Sequence, residues 1–305
     1  MGLRGDIRDV ADGWRWGRRV LPPASVPQGD GRETVFPTDW TRSRPARAAR
    51  AAVQRFGLAP LLRFEVRASV QGLDVLEALQ PPVMFVANHS SHLDAPLVLT
   101  SLPRAWRDRT CVGAAADYFF DSWWRGVGTA LVFNAFPVER KGGRRGALGA
   151  HRLLEEGWNV LVFPQGTRSN DGWITDFHHG AARLALAAGV PVIPIGISGS
   201  FQAMPRGRAW PAPGRPPVRV RFGRPVRGDA GEGGRDFSQR VRRALALTLH
   251  EERTTWWDAL SRDARDELPD ASGPDAAKWR RIWEASRPLA DSHSARAWRS
   301  TRATR

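Results

Sequence analysis

The sequence predicts an α/β fold: a single mixed, largely parallel sheet flanked by helices, with a helical element before it. Two observations support this class. Short apolar runs typical of buried strands alternate with stretches of helical period through the centre of the chain. Glycines such as Gly157 and Gly189 follow the helical stretches, as they often do at helix ends. Strands that alternate with helices usually pair in parallel and are covered on both faces.

The chain divides into an arm, one domain and a tail. Residues 1–45 are rich in Pro, Gly and Arg and are expected to form an irregular arm. The predicted domain spans 46–268, with its motif core at 83–200. Its first part, 46–64, suits one or two amphipathic helices broken near Gly57 and Pro60. Residues 269–305 are expected to form a polar tail that is disordered from 287 onward.

Within the domain, the apolar periods predict the elements in order. Strands are predicted at 64–71, 83–87, 110–115, 159–163, 190–197 and 218–222. Helices are predicted at 91–102, 144–156, 179–188 and 236–253, and the aromatic-rich stretch 118–133 is expected to be helical or irregular.

The composition limits the function classes. The single Cys111 excludes an internal disulfide and a cysteine-rich zinc site, so we expect a reducing compartment. No stretch reaches the roughly 18 apolar residues of a membrane-spanning helix. The formal charge of +15, together with 14 Trp, favours peripheral contact with an anionic membrane on its cytoplasmic side. No nucleic-acid-binding module is recognisable, so nucleic acid is not expected as a partner.

A histidine and a carboxylate stand where a strand passes into a helix. The segment 88–94 reads N-H-S-S-H-L-D and places His89 five residues before Asp94. A histidine held by an aspartate is a common general base for a hydroxyl group. Residues five apart on one helix would lie about 140° from each other. We therefore expect His89 in the turn and Asp94 in the first turn of the helix.

Three further segments fit a single site with this pair. Residues 136–140 (F-P-V-E-R) end in Arg140, and 190–195 (V-P-V-I-P-I) form a buried strand that contains Pro191. Residues 163–169 (F-P-Q-G-T-R-S) run from a strand into a turn around Gly166. Free backbone N–H groups, a small residue and the guanidinium of Arg168 are what a phosphate-binding loop requires.

In this order and at these spacings, the four segments resemble the four sequence blocks of the glycerolipid acyltransferases, the lysophosphatidic acid acyltransferase type. The resemblance covers about 64–253. It implies that a fatty acyl group passes from acyl-coenzyme A or acyl carrier protein to a hydroxyl of a lipid or lysophospholipid acceptor, without a resident cofactor or metal. By the same resemblance, His89 is the base and Asp94 orients it. The acceptor is then bound by Arg140, Gln165, Gly166, Thr167 and Arg168, the two arginines holding its phosphate, and Pro191 supports the wall of that pocket.

One position departs from the family pattern. Gln165 stands where the family usually has Glu in F-P-E-G-T-R. Glutamine keeps an acceptor oxygen and a similar shape but loses the negative charge and gains a donor. This departure affects the expected identity of the acceptor more than the expected chemistry.

Two other functions remain open at the level of sequence. His89, His92 and Asp94, with the pair His178 and His179, could ligate a metal in a metal-dependent phosphoesterase. Alternatively, Gln165 could mark a catalytically weak member of the fold that acts at a membrane surface.

Overall fold

The computed structural model describes residues 36–139, 144–287 and 289 of the 305-residue chain. Seven strands form one sheet in the order β1-β7-β6-β2-β5-β3-β4. Neighbouring strands are parallel, except that β6 and β7 are antiparallel. The predicted mixed, largely parallel sheet is therefore confirmed. The strands are β1 Arg67–Gln71, β2 Met84–Ala87, β3 Thr110–Ala115, β4 Ala135–Val138, β5 Asn159–Val162, β6 Val192–Ser198 and β7 Pro217–Phe222.

Helices precede, connect and follow the strands. The α-helices are α1 Arg44–Val53, α2 Ala59–Glu65, α3 Asp94–Ser101, α4 Arg104–Arg107, α5 Ala116–Phe119, α6 Trp123–Phe133, α7 Arg144–Glu155, α8 Gly180–Ala188, α9 Ser200–Ala203, α10 Gly234–Arg253, α11 Trp256–Ala264 and α12 Lys278–Ala285. Short 3₁₀ turns lie at Asp39–Arg42 and Leu73–Leu76. Among the described residues, no helix combines the length and apolar character that a bilayer-spanning segment needs.

The sheet separates two apolar clusters, one on each face. Along β2, Phe85 packs into one cluster with Leu97 of α3, whereas Met84 packs into the other with Phe237 of α10. This follows from the pleat, because successive side chains of a strand point to opposite faces. Each fully buried side chain of this size contributes about 1.5–3 kcal/mol relative to an exposed one. The two clusters therefore fix β2, and the turn that follows it, at the centre of the sheet.

The first helical region differs from its prediction. No break occurs near Gly57 and Pro60, because a π-helical turn, Gln54–Leu58, joins α1 directly to α2. Pro60 follows this π-helical turn directly, at the beginning of α2. The following strand begins at Arg67 rather than at residue 64, and all five of its residues are exposed. Phe64 belongs to the helix, with 75% of its surface exposed.

The region predicted to be a polar tail, 269–305, contains the helix α12, Lys278–Ala285, which the sequence pattern had not been taken to predict. Within it, Trp279, Ile282 and Trp283 recur at helical spacing, a pattern that the sequence-based prediction overlooked. The predicted disorder of the C-terminal residues falls on positions 288 and 290–305, which lie outside the described residues. The same holds for the irregular arm before residue 36.

Candidate active site

The first motif lies at the carboxyl end of β2. The strand ends at Ala87 and α3 begins at Asp94, so His89 sits in the connecting turn, as predicted. His89 Nδ1 is 2.9 Å from Asp94 Oδ2, and the His89 side chain keeps 20% of its surface exposed while that of Asp94 has none. Because Nδ1 faces the carboxylate, Nε2 is the ring nitrogen left to meet a substrate hydroxyl.

The Asp94 carboxylate is fixed by the turn that it closes. Its Oδ2 atom accepts hydrogen bonds from the backbone N–H groups of Ser90 at 2.7 Å and Ser91 at 2.8 Å. The turn is anchored in addition by the Ser90 and Ser200 hydroxyls, 2.9 Å apart. Three contacts on one oxygen keep the carboxylate from rotating away from His89. The imidazole therefore meets a preorganised partner.

The segment 163–169 holds His89 from a second side. The Phe163 ring stacks on the imidazole, with the ring centroids 4.2 Å apart. Gln165 Oε1 accepts from the His89 backbone N–H at 2.7 Å, and the Ser169 N–H donates to the His89 carbonyl at 2.8 Å. Both backbone groups of His89 are thus bound by one loop. This loop follows β5, which is the parallel neighbour of β2.

Gln165 and Gly166 shape that loop. Gln165 is buried, and its amide Nε2 donates to Thr175 Oγ1 at 3.1 Å. Gly166 has φ +68°, and its N–H donates to the Phe163 carbonyl at 3.0 Å. A positive φ of this kind favours glycine, because a side chain with a β-carbon would be sterically strained in that conformation. Thr167 is exposed and Arg168 half-buried at the tip of the same loop.

His92 supports the site without taking part in the pair. Its Nε2 is 3.4 Å from the Tyr118 hydroxyl, and the two rings stack with centroids 5.7 Å apart. Burial, followed by the positive charge of Arg168, lowers the pKa of His92 to about 4. His92 is therefore neutral at physiological pH, and Arg168 lies close enough to act on the imidazole. These contacts give His92 a structural role beside the pair.

The structure describes one of the two remaining predicted site residues. Arg140 lies outside the described residues; Glu139 before it follows β4 at the same edge of the sheet. Pro191 precedes β6, and its carbonyl accepts from Met84 N–H at 2.9 Å, at the beginning of β2. Because β2 runs from Met84 toward His89, Pro191 lies at the opposite edge of the sheet. The expectation that Pro191 supports the pocket wall is corrected: it lies directly before the buried strand β6, away from the His89 turn.

The histidines considered for a metal site are dispersed. His178 is exposed and His179 precedes α8, and neither has a hydrogen bond or ion pair to the His89 turn. Within 36–139, 144–287 and 289, no group of three or more His, Cys, Asp or Glu side chains could hold a metal ion. This arrangement does not favour the phosphoesterase alternative.

Sequence reasoning missed several residues that build the site. Asn88 Oδ1 accepts from Ile197 N–H at 2.8 Å, and its Nδ2 donates to the Ile197 carbonyl at 2.9 Å. Phe163 and Ser169, in contact with His89, lie inside the quoted segments, so their position next to the motif was available as a signal. Arg281, which contacts the loop from α12, had no signal in the sequence.

The chain is similar to known acyltransferases in sequence. A family model described as "Acyltransferase" matches residues 67–198. A lyso-ornithine lipid O-acyltransferase from Pseudomonas aeruginosa is 33% identical over 194 residues, which cover 60% of this chain and 67% of the relative. A chloroplastic 1-acyl-sn-glycerol-3-phosphate acyltransferase from Brassica napus is 32% identical over 145 residues, 46% of this chain. The chain spans only about two fifths of that relative's length.

The fold also has a counterpart among solved structures. The 1-acyl-sn-glycerophosphate acyltransferase PlsC from Thermotoga maritima superposes with a TM-score of 0.51 at 23% identity, over 67% of this chain and 84% of that one. At this identity the likeness concerns the fold alone.

Proposed function

The chain belongs to the glycerolipid acyltransferase family, and we propose that it transfers a fatty acyl group from a thioester donor to a hydroxyl of a lysophospholipid or related acceptor. The observation that carries this proposal is the His89 Nδ1 to Asp94 Oδ2 contact of 2.9 Å. The donor is the acyl thioester of coenzyme A or of acyl carrier protein, used as a substrate. No resident cofactor or metal takes part in the proposed chemistry.

The proposed reaction proceeds in one displacement. The acceptor hydroxyl oxygen attacks the thioester carbonyl carbon while its proton passes to His89 Nε2. The carbon–sulfur bond then breaks, and the thiolate leaves with the proton that the imidazolium returns. Asp94 holds the imidazole in the required tautomer and stabilises the imidazolium, so no covalent acyl-enzyme is needed.

The acceptor site is proposed at the tip of the loop after β5. Arg168 is half-buried there, and a guanidinium binds phosphate through two parallel hydrogen bonds. Gly166 and Thr167 shape the approach, and Arg140 is proposed as a second phosphate ligand on the resemblance alone. Two acceptor classes follow from the relatives' names. One is 1-acyl-glycerol-3-phosphate, from the name of the Brassica napus relative. The other is a lyso-ornithine lipid, from the name of the Pseudomonas aeruginosa relative, 67% of which is covered by this chain.

Acyl transfer to a lipid requires access to a membrane, and we place the enzyme peripherally on its cytoplasmic side. Large apolar side chains are exposed on several helices; Phe56, Phe64, Trp123 and Trp279 each have at least 73% of their surface exposed. Arg55 and Arg63 lie beside the two phenylalanines. Aromatic and basic side chains together favour an anionic lipid surface.

The test is acyl transfer by the purified protein. Thiol release from acyl-coenzyme A should require an acceptor, and His89→Ala should lower it by about 10²–10⁴-fold, the usual contribution of a general base. His151→Ala is the matched control, because His151 also pairs with a carboxylate, Glu155 Oε2 at 3.5 Å, but on the surface of α7. Undiminished acyl transfer in His89→Ala would exclude His89 as the base.

The acceptor is identified in the same assay by lipid mass spectrometry. Lysophosphatidate, other lysophospholipids and a lyso-ornithine lipid are offered in turn with one acyl donor. Arg168→Gln should weaken a phosphate-bearing acceptor through KM more than an acceptor without phosphate. An equal effect on both acceptors would argue against a phosphate contact at Arg168.

A further inference from the structure

The helix α12 lies outside the residues that match the family model, yet it contacts the loop that holds His89. The matched segment ends at residue 198, whereas α12 spans Lys278–Ala285. Its own core contribution is small, since none of its residues is buried. It is attached to the rest of the protein by hydrogen bonds at a few positions and by apolar packing of Ala285 near Gly172.

Arg281 makes the most specific of these contacts. Its Nε donates to Asp171 Oδ2 at 2.7 Å, Nη1 to the Pro274 carbonyl at 2.8 Å, and Nη2 to the Ser272 carbonyl at 2.7 Å. The side chains of Arg281 and Asp171 are 24% and 18% exposed, so the pair is largely shielded from water. In return, Trp173 Nε1 donates to the Arg281 carbonyl at 3.0 Å. A guanidinium with three acceptors in fixed positions cannot be replaced by a point charge.

A short chain of hydrogen bonds connects this pair to His89. Asp171 Oδ1 accepts from Ser169 Oγ at 2.9 Å and from Trp173 N–H at 3.2 Å. Ser169 in turn donates its backbone N–H to the His89 carbonyl at 2.8 Å. Burial raises the pKa of Asp171, but hydrogen bonds from Arg281, Trp173 and Ser169 outweigh it and hold that pKa below its usual value. The carboxylate is thus charged at neutral pH.

The far end of α12 has a second anchor. Gln202 of α9 donates through Nε2 to the Ala285 carbonyl at 3.2 Å. The neighbouring Ser200 hydroxyl contacts Ser90, next to His89. Between the two anchors, a β-carbon at Gly172 would lie 2.7 Å from Ala285 Cβ and 2.9 Å from the Phe201 ring, so only glycine fits. The helix therefore bridges the loop after β5 and the helix α9, both of which contact the His89 turn.

We infer that α12 is a strap that positions the His89 turn, with Arg281 as the positioning residue that holds it to the loop at Asp171. This inference rests on the proposed acyl transfer. Arg281 touches neither His89 nor Asp94; it acts through Asp171 and Ser169. Displacement of a catalytic group by about 1 Å can lower a rate up to about a hundredfold. A positioning residue should therefore affect kcat more than the binding of the donor.

The test compares two adjacent arginines in the full chain. Arg281→Ala should lower kcat about tenfold with the KM for acyl-coenzyme A unchanged. Arg280→Ala is the matched control. Arg280 is exposed, and its ion-pair partner among the described residues is Glu284 of the same helix, with 3.3 Å between Arg280 Nε and Glu284 Oε1, so this variant should keep the wild-type kcat. Arg281→Lys should recover part of the rate, because an ammonium can reach Asp171 but not all three acceptors. Unchanged kcat in Arg281→Ala would overturn the inference.

A second comparison separates positioning from stability. Arg243→Ala removes hydrogen bonds to Asp263 between α10 and α11, at residues that make no contact with the His89 turn. It should lower Tm and leave the kcat of the folded protein unchanged. If Arg243→Ala and Arg281→Ala lower Tm equally and also lower kcat equally, the effect of Arg281 on kcat comes from stability alone, and the inference is overturned.

A spectroscopic readout does not depend on catalysis. In protein labelled with ¹⁵N-histidine, the Nδ1 proton of His89 should shift or broaden in Arg281→Ala and stay in place in Arg280→Ala. If this His89 resonance is unchanged in both variants, the inference that α12 positions the His89 turn is overturned. If the wild-type protein transfers no acyl group to any acceptor, the proposed function fails, and this resonance alone decides whether the strap positions His89.

Discussion

His89 is held through its backbone as well as through its ring, and Gln165 is one of the residues responsible. The family usually has Glu at this position, and the sequence raised the question of what its charge would do. Gln165 accepts from the His89 N–H and donates to Thr175. A glutamate carboxylate could accept both hydrogen bonds, because the Thr175 hydroxyl can turn and donate. The geometry thus assigns this position to support of the His89 turn.

Two replacements of Gln165 should distinguish the effect of its shape from the effect of its hydrogen bonds on kcat and stability. Gln165→Glu should keep kcat within a few-fold of wild type, because both hydrogen bonds can be kept. Gln165→Leu leaves the His89 N–H without its acceptor, at a cost of about 1–3 kcal/mol in unfolding free energy, and should also lower kcat. Chemical denaturation and thiol release measure the two effects.

Thr175→Val serves as the control for Gln165, since it removes the outer hydrogen bond and leaves the His89 N–H paired. It should have the smaller effect on kcat. Wild-type kcat in Gln165→Leu would contradict the role assigned to the amide.

At the level of elements, the site depends on how β2 ends beside β6. The ladder between these strands continues to Ala87 and Ile195. One step further, Asn88 replaces the missing backbone pairing with two side-chain hydrogen bonds to Ile197. An amide side chain can do this because it carries a donor and an acceptor side by side. The strand end is thereby held at the point where the turn to His89 begins.

Asn88→Ala should destabilise the protein and slow catalysis. Two buried backbone groups of Ile197 lose their partners, which costs about 2–6 kcal/mol at about 1–3 kcal/mol for each group. Unfolding free energy and kcat at a temperature where the variant is folded give the two readouts. Asn159→Ala is the control, because Asn159 Oδ1 binds Val83 N–H at 3.0 Å, at the other end of β2. Asn159→Ala should lower stability and leave kcat unchanged. An equal loss of kcat in both variants would show that the pairing of β2 in general, rather than its end next to His89, affects the rate.

The element order was predictable where apolar runs were long enough to show a period. The strand at 110–115 was predicted at its observed bounds, and the helix closed by Gly157 was predicted to within one residue at its end. The predicted bounds of elements were less accurate where the residues at the boundary are exposed. Phe64 was assigned to a strand because it alternates with Val66, but a helix continues through Glu65 and exposes it. The helix α12 was overlooked although Trp279, Ile282 and Trp283 recur at helical spacing, because it lies in an otherwise polar stretch.

For the molecule as a whole, charge and exposed aromatic surface determine the expected partner. The net charge of +15 attracts an anionic surface over a distance set by salt, about 10 Å at 0.1 M. Exposed apolar side chains then contribute to the free energy of membrane binding in a way that salt does not screen. The two contributions can therefore be separated by experiment.

Vesicles that contain phosphatidylglycerol should bind the protein at low salt, and binding should weaken as salt rises. Neutral phosphatidylcholine vesicles should bind it less. The double variant Phe56→Ser and Phe64→Ser should reduce the binding that persists at high salt, because it removes two exposed aromatic side chains of the first helical region. Trp210→Ser, in the exposed loop before β7, is the control. Cosedimentation measures both; absence of binding to anionic vesicles at low salt would contradict a peripheral membrane location.

The sequence by itself determined the fold class, the place of His89 in a strand-to-helix turn and the segments that accompany it. Those features are local: they depend on apolar period, on glycine at helix ends and on the residues within each motif. The tertiary structure alone decided that Gln165 and Ser169 hold the backbone of His89, that Pro191 lies at the opposite edge of the sheet, and that α12 reaches the site loop. These contacts join residues 76 or more positions apart, and strand order and helix packing, rather than local pattern, bring such residues together.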